Sequence, residues 1–296
     1  MVQVLGHRGE RQNPDVDENT LPTFATGFST SDGIETDGTQ TKDGTVFLSH
    51  DTTQDYIPHV ISKSRYVFNT HLNKISQKIL GKRRIDQLTD AEMEALTLEK
   101  GGKVPKLSEV FAEAVKYPGK TIDIEVKGEH AIEPIIAEIH KAVAAGEIKE
   151  EQIIITSFNH PAILRAKQLA PKIKRGLIFS GSSIYDSRMF PWSHNKESRY
   201  IEFNEKSLTS KQTREIAPDY FIVKHTSVTP ENVSLLRKHF PQGKIMFWTS
   251  NEKPPAQNDQ VIKALTDPAT KDAIEAVITD YPEQMTKLLK AKGLKA

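Results

Sequence analysis

Eight short apolar runs recur along the chain with amphipathic segments between most of them, and this rhythm limits the possible folds more than any other feature. The runs are Val2–Leu5, Gly33–Asp37, Thr121–Val126, Gln152–Thr156, Arg175–Phe179, Tyr220–Val223, Lys244–Trp248 and Ala276–Thr279, and their length and β-rich composition read as strands. Segments such as SEVFAEAVKY, AIEPIIAEIHKAVAAG, HPAILRAKQLA and TPENVSLLRKHF carry apolar residues at helical spacing, with Ser, Thr or Pro at their starts. Strand followed by helix, repeated, predicts parallel strands joined by helical crossovers. Eight units with no break in composition predict an α/β fold closed into a (β/α)8 TIM barrel, with residues 1–296 as a single domain. One region departs from the rhythm. Thr45–Ser49 reads as an extra short strand, and residues 56–85 hold Lys63, Arg65, Lys74, Lys78, Lys82, Arg83 and Arg84 with no Asp or Glu. It is expected to be a small insertion after the second strand, at about 45–85.

Composition narrows the partners. Forty basic and 39 acidic side chains leave a formal charge of +1, so nothing draws the whole molecule to nucleic acid and a small-molecule partner is expected. No run approaches the roughly 18 apolar residues of a membrane span, so no integral membrane segment is expected. Weak contact with a membrane surface through the basic 56–85 segment stays open. With no cysteine, thiolate catalysis and cysteine metal sites are excluded, and any metal must sit on oxygen or imidazole. The first strand begins without a basic region and an apolar core ahead of it, so the cytoplasm is the expected location.

In a barrel of this kind the active site is built at the C-terminal ends of the strands. Strand one ends at His7 and Arg8, bracketed by Gly6 and Gly9, which let the backbone turn sharply and approach a ligand closely. Strand two carries Glu35 and Asp37, and strand three leads to Glu125 and Lys127. Residues i and i+2 share a face, so each pair points one way. Any one of them alone is as readily a surface ion pair; three inward sets at corresponding strand ends are not. Converging carboxylates repel unless a cation compensates, and an all-oxygen set suits Mg²⁺ or Ca²⁺. His50 ends the extra strand and pairs naturally with His7, since two imidazoles can serve as general acid and base near neutral pH. His160, His194 and His239 are expected to be solvated, His225 is evenly balanced between site and surface, and Trp248 is core or substrate platform.

HRG followed by ENT, then IETDGTQTKDGTVFLSHD, then IDIEVK, and late FWTSN and ITDYP, resemble the motif series of the glycerophosphodiester phosphodiesterase family. The likeness spans nearly the whole chain and is most specific in its first 51 residues. It implies a barrel that hydrolyses glycerophosphodiesters to glycerol 3-phosphate and an alcohol with one divalent cation. It implies Glu35, Asp37 and Glu125 as metal ligands, His7 and His50 as the acid-base pair, Arg8 and Lys127 on the phosphate, and Glu18 in support. His50 as base and His7 as acid is the working order, although exchanging them changes nothing in the sequence. Two departures bear on substrate choice: Asp17 stands where proline usually precedes ENT, and TTQDYIPHV lacks the usual Arg-Thr ending. The nearest rival is a phospholipase D-like barrel acting on lysophospholipid or sphingophospholipid headgroups. The other is a silent binding barrel for anionic metabolites, against which the intact histidines and carboxylates count.

Overall fold

The computed structural model describes residues 1–50, 75–76, 83–128, 130–180, 201–248 and 256–296. Among them, eight parallel strands close on themselves: β1 (Gln3–His7), β2 (Gly33–Gln40), β4 (Thr121–Val126), β5 (Ile153–Ser157), β6 (Lys174–Ile178), β7 (Tyr220–Lys224), β8 (Lys244–Trp248) and β9 (Ile274–Thr279). They are hydrogen-bonded in that order and β9 returns to β1. β3 (Val46–Leu48) runs antiparallel along β2 outside the circle. The helices are α1 (Leu21–Thr30), α2 (Asp90–Ala95), α3 (Leu107–Ala114), α4 (Ile132–Ala144), α5 (His160–Leu169), α6 (Glu205–Leu208), α7 (Lys211–Ile216), α8 (Pro230–His239), α9 (Ala256–Thr266) and α10 (Pro282–Ala291). None is long and apolar enough to cross a membrane. This is the TIM barrel the alternation predicts.

Period two along the strands builds two cores. Leu5, Ile154, Ile178, Tyr220, Ile222, Met246, Ala276 and Ile278 fill the barrel interior, while Val4, Ile34, Ile122, Ile124, Ile155, Phe221, Phe247 and Val277 belong to the layer between strands and helices. Helices meet that layer at their own period. In α4, Ile132, Ile135, Ile136 and Ile139 are buried, the spacing of one helical face, and each contributes on the order of 2 kcal/mol. A charge at Ile136 would break that face. Caps fix the starts: α8 opens on Pro230, with the Thr229 hydroxyl accepting from Asn232 N at 3.3 Å.

Three expectations change. β2 continues to Gln40, beyond its apolar run, because β3 pairs with Gly38, Thr39 and Gln40. The insertion reaches about residue 106 rather than 85: Ile85, Leu88, Met93, Leu96, Leu98 and Val104 gather on Phe47 as a core of their own, and Phe47 bridges to Lys106. His160 is buried, not solvated, because the first residue of α5 packs edge-on against Phe179 and gives its Nε2–H to the Ile178 carbonyl at 3.1 Å. His239 is only partly covered and lies 3.1 Å from Glu205, and His225 is buried. His194, most of the basic 56–85 segment and residues 181–200 of the long loop lie outside the described residues. Of that basic segment, Arg83 and Arg84 pair with Glu92 and Asp86.

Candidate active site

Strand register assembles the site at the C-terminal ends of β1, β2, β4 and β5. His7 sits beside Glu35, Glu35 beside Asp123, Asp37 beside Glu125, and Glu125 beside Thr156. Glu35, Asp37 and Glu125 each place one carboxylate oxygen within 4.8 Å of the others. The loop after β1 is held by its own geometry. Gly9 has φ 81, and a Cβ there would lie 2.5 Å from the Thr23 backbone; at Gly6 it would lie 2.0 Å from the Gly9 carbonyl oxygen. These glycines serve the turn and its packing on α1.

Cations are spread among the carboxylates. Lys127 Nζ lies 2.7 Å from Glu125 Oε1 and 3.3 Å from Asp37 Oδ1, and Arg8 Nε lies 3.3 Å from Asp37 Oδ2. Asn19 Nδ2 donates to Asp37 Oδ2 at 2.9 Å. Burial pushes the Asp37 carboxyl up, but Lys127, Arg8, His50 and the Asn19 bond outweigh it and hold it well below the usual carboxylate range. Glu35 goes the other way: burial, and then the charges of Asp37, Glu125 and Asp123, raise it well above that range. Burial pushes Asp123 up to about 8, against the hydrogen bond it accepts from the Thr156 hydroxyl at 2.8 Å. Asp37 Oδ1 is buried and accepts no hydrogen bond among the described residues. Crowded carboxylates, one of whose buried oxygens faces the Lys127 charge without a hydrogen bond, are what a hard divalent cation relieves, so the donor set fits Mg²⁺ or Ca²⁺.

Glu18 reaches back to the loop, its Oε1 2.5 Å from Arg8 NH1 and its Oε2 2.8 Å from Arg11 Nε. Burial and the Arg8 charge lower the His7 imidazole, against a hydrogen bond to Asp280. His7 Nε2 lies 3.7 Å from Glu35 Oε2.

A cavity of about 280 Å³ opens over these groups. His7, Arg8, Arg11, Glu35, His50, Asp123, Glu125 and Lys127 form its charged side, and Phe158, Ile178, Ile222, Trp248 and Ile278 its apolar side. The indole Nε1 of Trp248 is buried with no hydrogen-bond partner among the described residues. The structure thus brings His7, Arg8, Glu35, His50, Glu125, Lys127 and Trp248 to one cavity, with Asp37 and Glu18 directly behind them. Four residues escaped the sequence reading. Asp123 had a signal, since it stands two before Glu125 and shares its face; Asp280 follows the last strand, as the other site residues follow theirs. Asn19 lies in the ENT motif beside Glu18, and Arg11 gave no signal, because loop conformation alone brings it in.

The chain matches the model of the glycerophosphoryl diester phosphodiesterase family over residues 7–284. A glycerophosphodiester phosphodiesterase of Caldanaerobacter subterraneus subsp. tengcongensis is 27% identical over 292 residues, 98% of each chain. Among solved structures, a phosphodiesterase of Oleispira antarctica in complex with the product sn-glycerol-3-phosphate superposes with TM-score 0.63 at 21% identity, over 97% of this chain and 96% of that one. The glycerophosphodiester phosphodiesterase of Thermotoga maritima gives 0.57 at 23% identity, over 97% and 98%.

Proposed function

The chain belongs to the glycerophosphoryl diester phosphodiesterase family, and we propose that it hydrolyses glycerophosphodiesters to glycerol 3-phosphate and an alcohol, with Mg²⁺ or Ca²⁺ held by Glu35, Asp37 and Glu125. One observation carries the reading: His7, His50, Arg8, Lys127, Glu35 and Glu125 line a single cavity, and Asp37 behind it completes a set of three carboxylates with one oxygen each within 4.8 Å of the others. The product named in the Oleispira antarctica complex supports the substrate class.

Glu35, Asp37 and Glu125 would hold the cation, which when bound would supply positive charge against the phosphoryl oxygens. Arg8 and Lys127 bind those oxygens from the protein side. Glu18 and Asp37 orient the Arg8 guanidinium, whose fork suits a phosphate. His7 exchanges its proton through Nε2, since Nδ1 is engaged by Asp280. One imidazole takes a proton from the nucleophile and the other returns one to the leaving alkoxide, with His50 as the second group of the pair. Trp248 and the apolar side cover the carbon part of the diester, and the indole N–H is a donor for one of its oxygens.

The lysophospholipid alternative rests on a segment outside the described residues. Both are tested by following glycerol 3-phosphate and choline from soluble glycerophosphocholine and from vesicles containing lysophosphatidylcholine. The expected result is equal release of both products from the soluble diester and no choline from vesicles. Choline from vesicles alone would transfer the assignment to the lipid substrate.

A further inference from the structure

We propose that Asp280 is a positioning residue of this site: its carboxylate, held from its far side by Gln12 and Arg11, fixes the His7 ring so that Nε2 faces the cavity. The inference rests on His7 being an acid-base group of the proposed reaction. β9 pairs with β1 so that Thr279 lies beside Gly6, which brings the next residue, Asp280, alongside His7. His7 Nδ1 is 2.5 Å from Asp280 Oδ1. The other oxygen, Oδ2, takes Gln12 Nε2 at 3.3 Å and lies 3.7 Å from Arg11 NH1. Arg11 is anchored in turn by Glu18 at 2.8 Å. One oxygen for the imidazole and one for the loop leave the carboxylate no free rotation.

Asp280 is 1% exposed, and a buried carboxylate persists only when its charge is matched by donors and cations. Here His7, Gln12 and Arg11 do this, and they hold the carboxyl below its usual range against the upward push of burial. An ionised carboxylate only accepts, so the proton between the two groups belongs to Nδ1 and the tautomer is set. Nε2 is then the nitrogen left for proton transfer. Without Asp280 the ring can flip and the two tautomers can mix.

Two experiments bear on this with the full-length protein. ¹⁵N-imidazole spectra, with the His7 signals identified by their loss in His7→Gln, should show wild type as the Nδ1–H tautomer and Asp280→Ala as a mixture. On glycerophosphocholine with Mg²⁺ or Ca²⁺, Asp280→Ala should lower kcat by about 10- to 100-fold with KM within about threefold. Adding it to His7→Ala should cost no more than about twofold further, because non-additivity marks residues acting as a unit. Asp280→Asn, which keeps the shape and one acceptor oxygen, guards against a folding defect and should fall between wild type and alanine. An Nε2–H tautomer in wild type, or a full independent loss in the His7→Ala background, would overturn the proposal. Should wild type turn over no glycerophosphodiester, the reaction reading fails and the tautomer spectra alone decide the hold on His7.

Discussion

Arg8 and Asn19 stand in the left-handed region, at φ 51 and φ 54, where a side chain costs roughly 1–2 kcal/mol. The surroundings sustain this. Asn19 N–H donates to the Arg8 carbonyl at 3.1 Å, Arg8 N–H to Glu35 Oε2 at 3.2 Å, and the Asn19 amide joins Thr36 to Asp37. Backbone conformation and carboxylate position are therefore one arrangement. Asn19→Ala should lower kcat by on the order of tenfold and stability by about 1–3 kcal/mol, since it leaves buried Asp37 short of a donor; denaturant titration and kinetics on glycerophosphocholine check the two separately. His7→Ala and His50→Ala should each cost at least about a hundredfold in kcat with the fold intact, and a near-wild-type rate in either would remove that histidine from its role. Glu35, Asp37, Glu125 and Lys127 were legible because period two along a strand puts them on one face. Asp123 obeys the same rule on the same strand, two residues before Glu125. Asp280 and Asn19 lie in ITDYP and ENT, but their partners are 273 and 18 residues away, and only the fold shows which groups they hold.

The loop between β1 and α1 depends on the insertion. Asp17, which replaces the proline usual before ENT, accepts from Lys100 N at 3.0 Å and from Gly102 N at 3.0 Å. Lys100 Nζ donates back to the Asn13 and Val16 carbonyls at 2.6 and 3.0 Å. The departure thus has a structural use: it ties the segment bearing Glu18 and Asn19 to the turn at 98–102. Asp17→Ala should cost about 1–3 kcal/mol through the charge-assisted hydrogen bonds from Lys100 N and Gly102 N that it removes, read as a lower denaturation midpoint. α5 gives a pH prediction. Burial lowers the His160 imidazole to about 4, against its bond to the Ile178 carbonyl. The unfolded state then binds the extra proton between about pH 6.5 and 4, so stability falls as pH drops through that window. The loss should approach about 3 kcal/mol and should shrink in His160→Gln. From sequence this histidine looked solvated, because a polar residue at a helix start gives no sign that its ring turns under the helix. The strand cores were legible to within a residue or two; the insertion's far boundary was not, because its small apolar core follows neither helical nor strand period.

Across the whole molecule, charges of alternating sign run around the rim, Lys127, Asp37, Arg8, Glu18, Arg11 and Asp280, each within 4.0 Å of the next, and the last of them holds the His7 imidazole. The chain joins β4, β2, the first loop, β9 and β1, so the barrel's closure is also the closure of its site. The fold was legible because eight strand-helix units have few ways to bury both faces of a parallel sheet. Glu35, Asp37, Asp123 and Glu125 crowd one end of the barrel, and burial with mutual repulsion raises Glu35 and Asp123, so a bound divalent ion should stabilise the protein. At a hundredfold excess over Kd the gain is about 2.7 kcal/mol, seen as a rise in Tm that Glu125→Gln reduces. The most direct test of the account is release of glycerol 3-phosphate from glycerophosphocholine by EDTA-stripped protein, with Mg²⁺, Ca²⁺ or nothing returned. Turnover should come back only with a divalent cation. Full turnover without metal, or none with either ion, would contradict it.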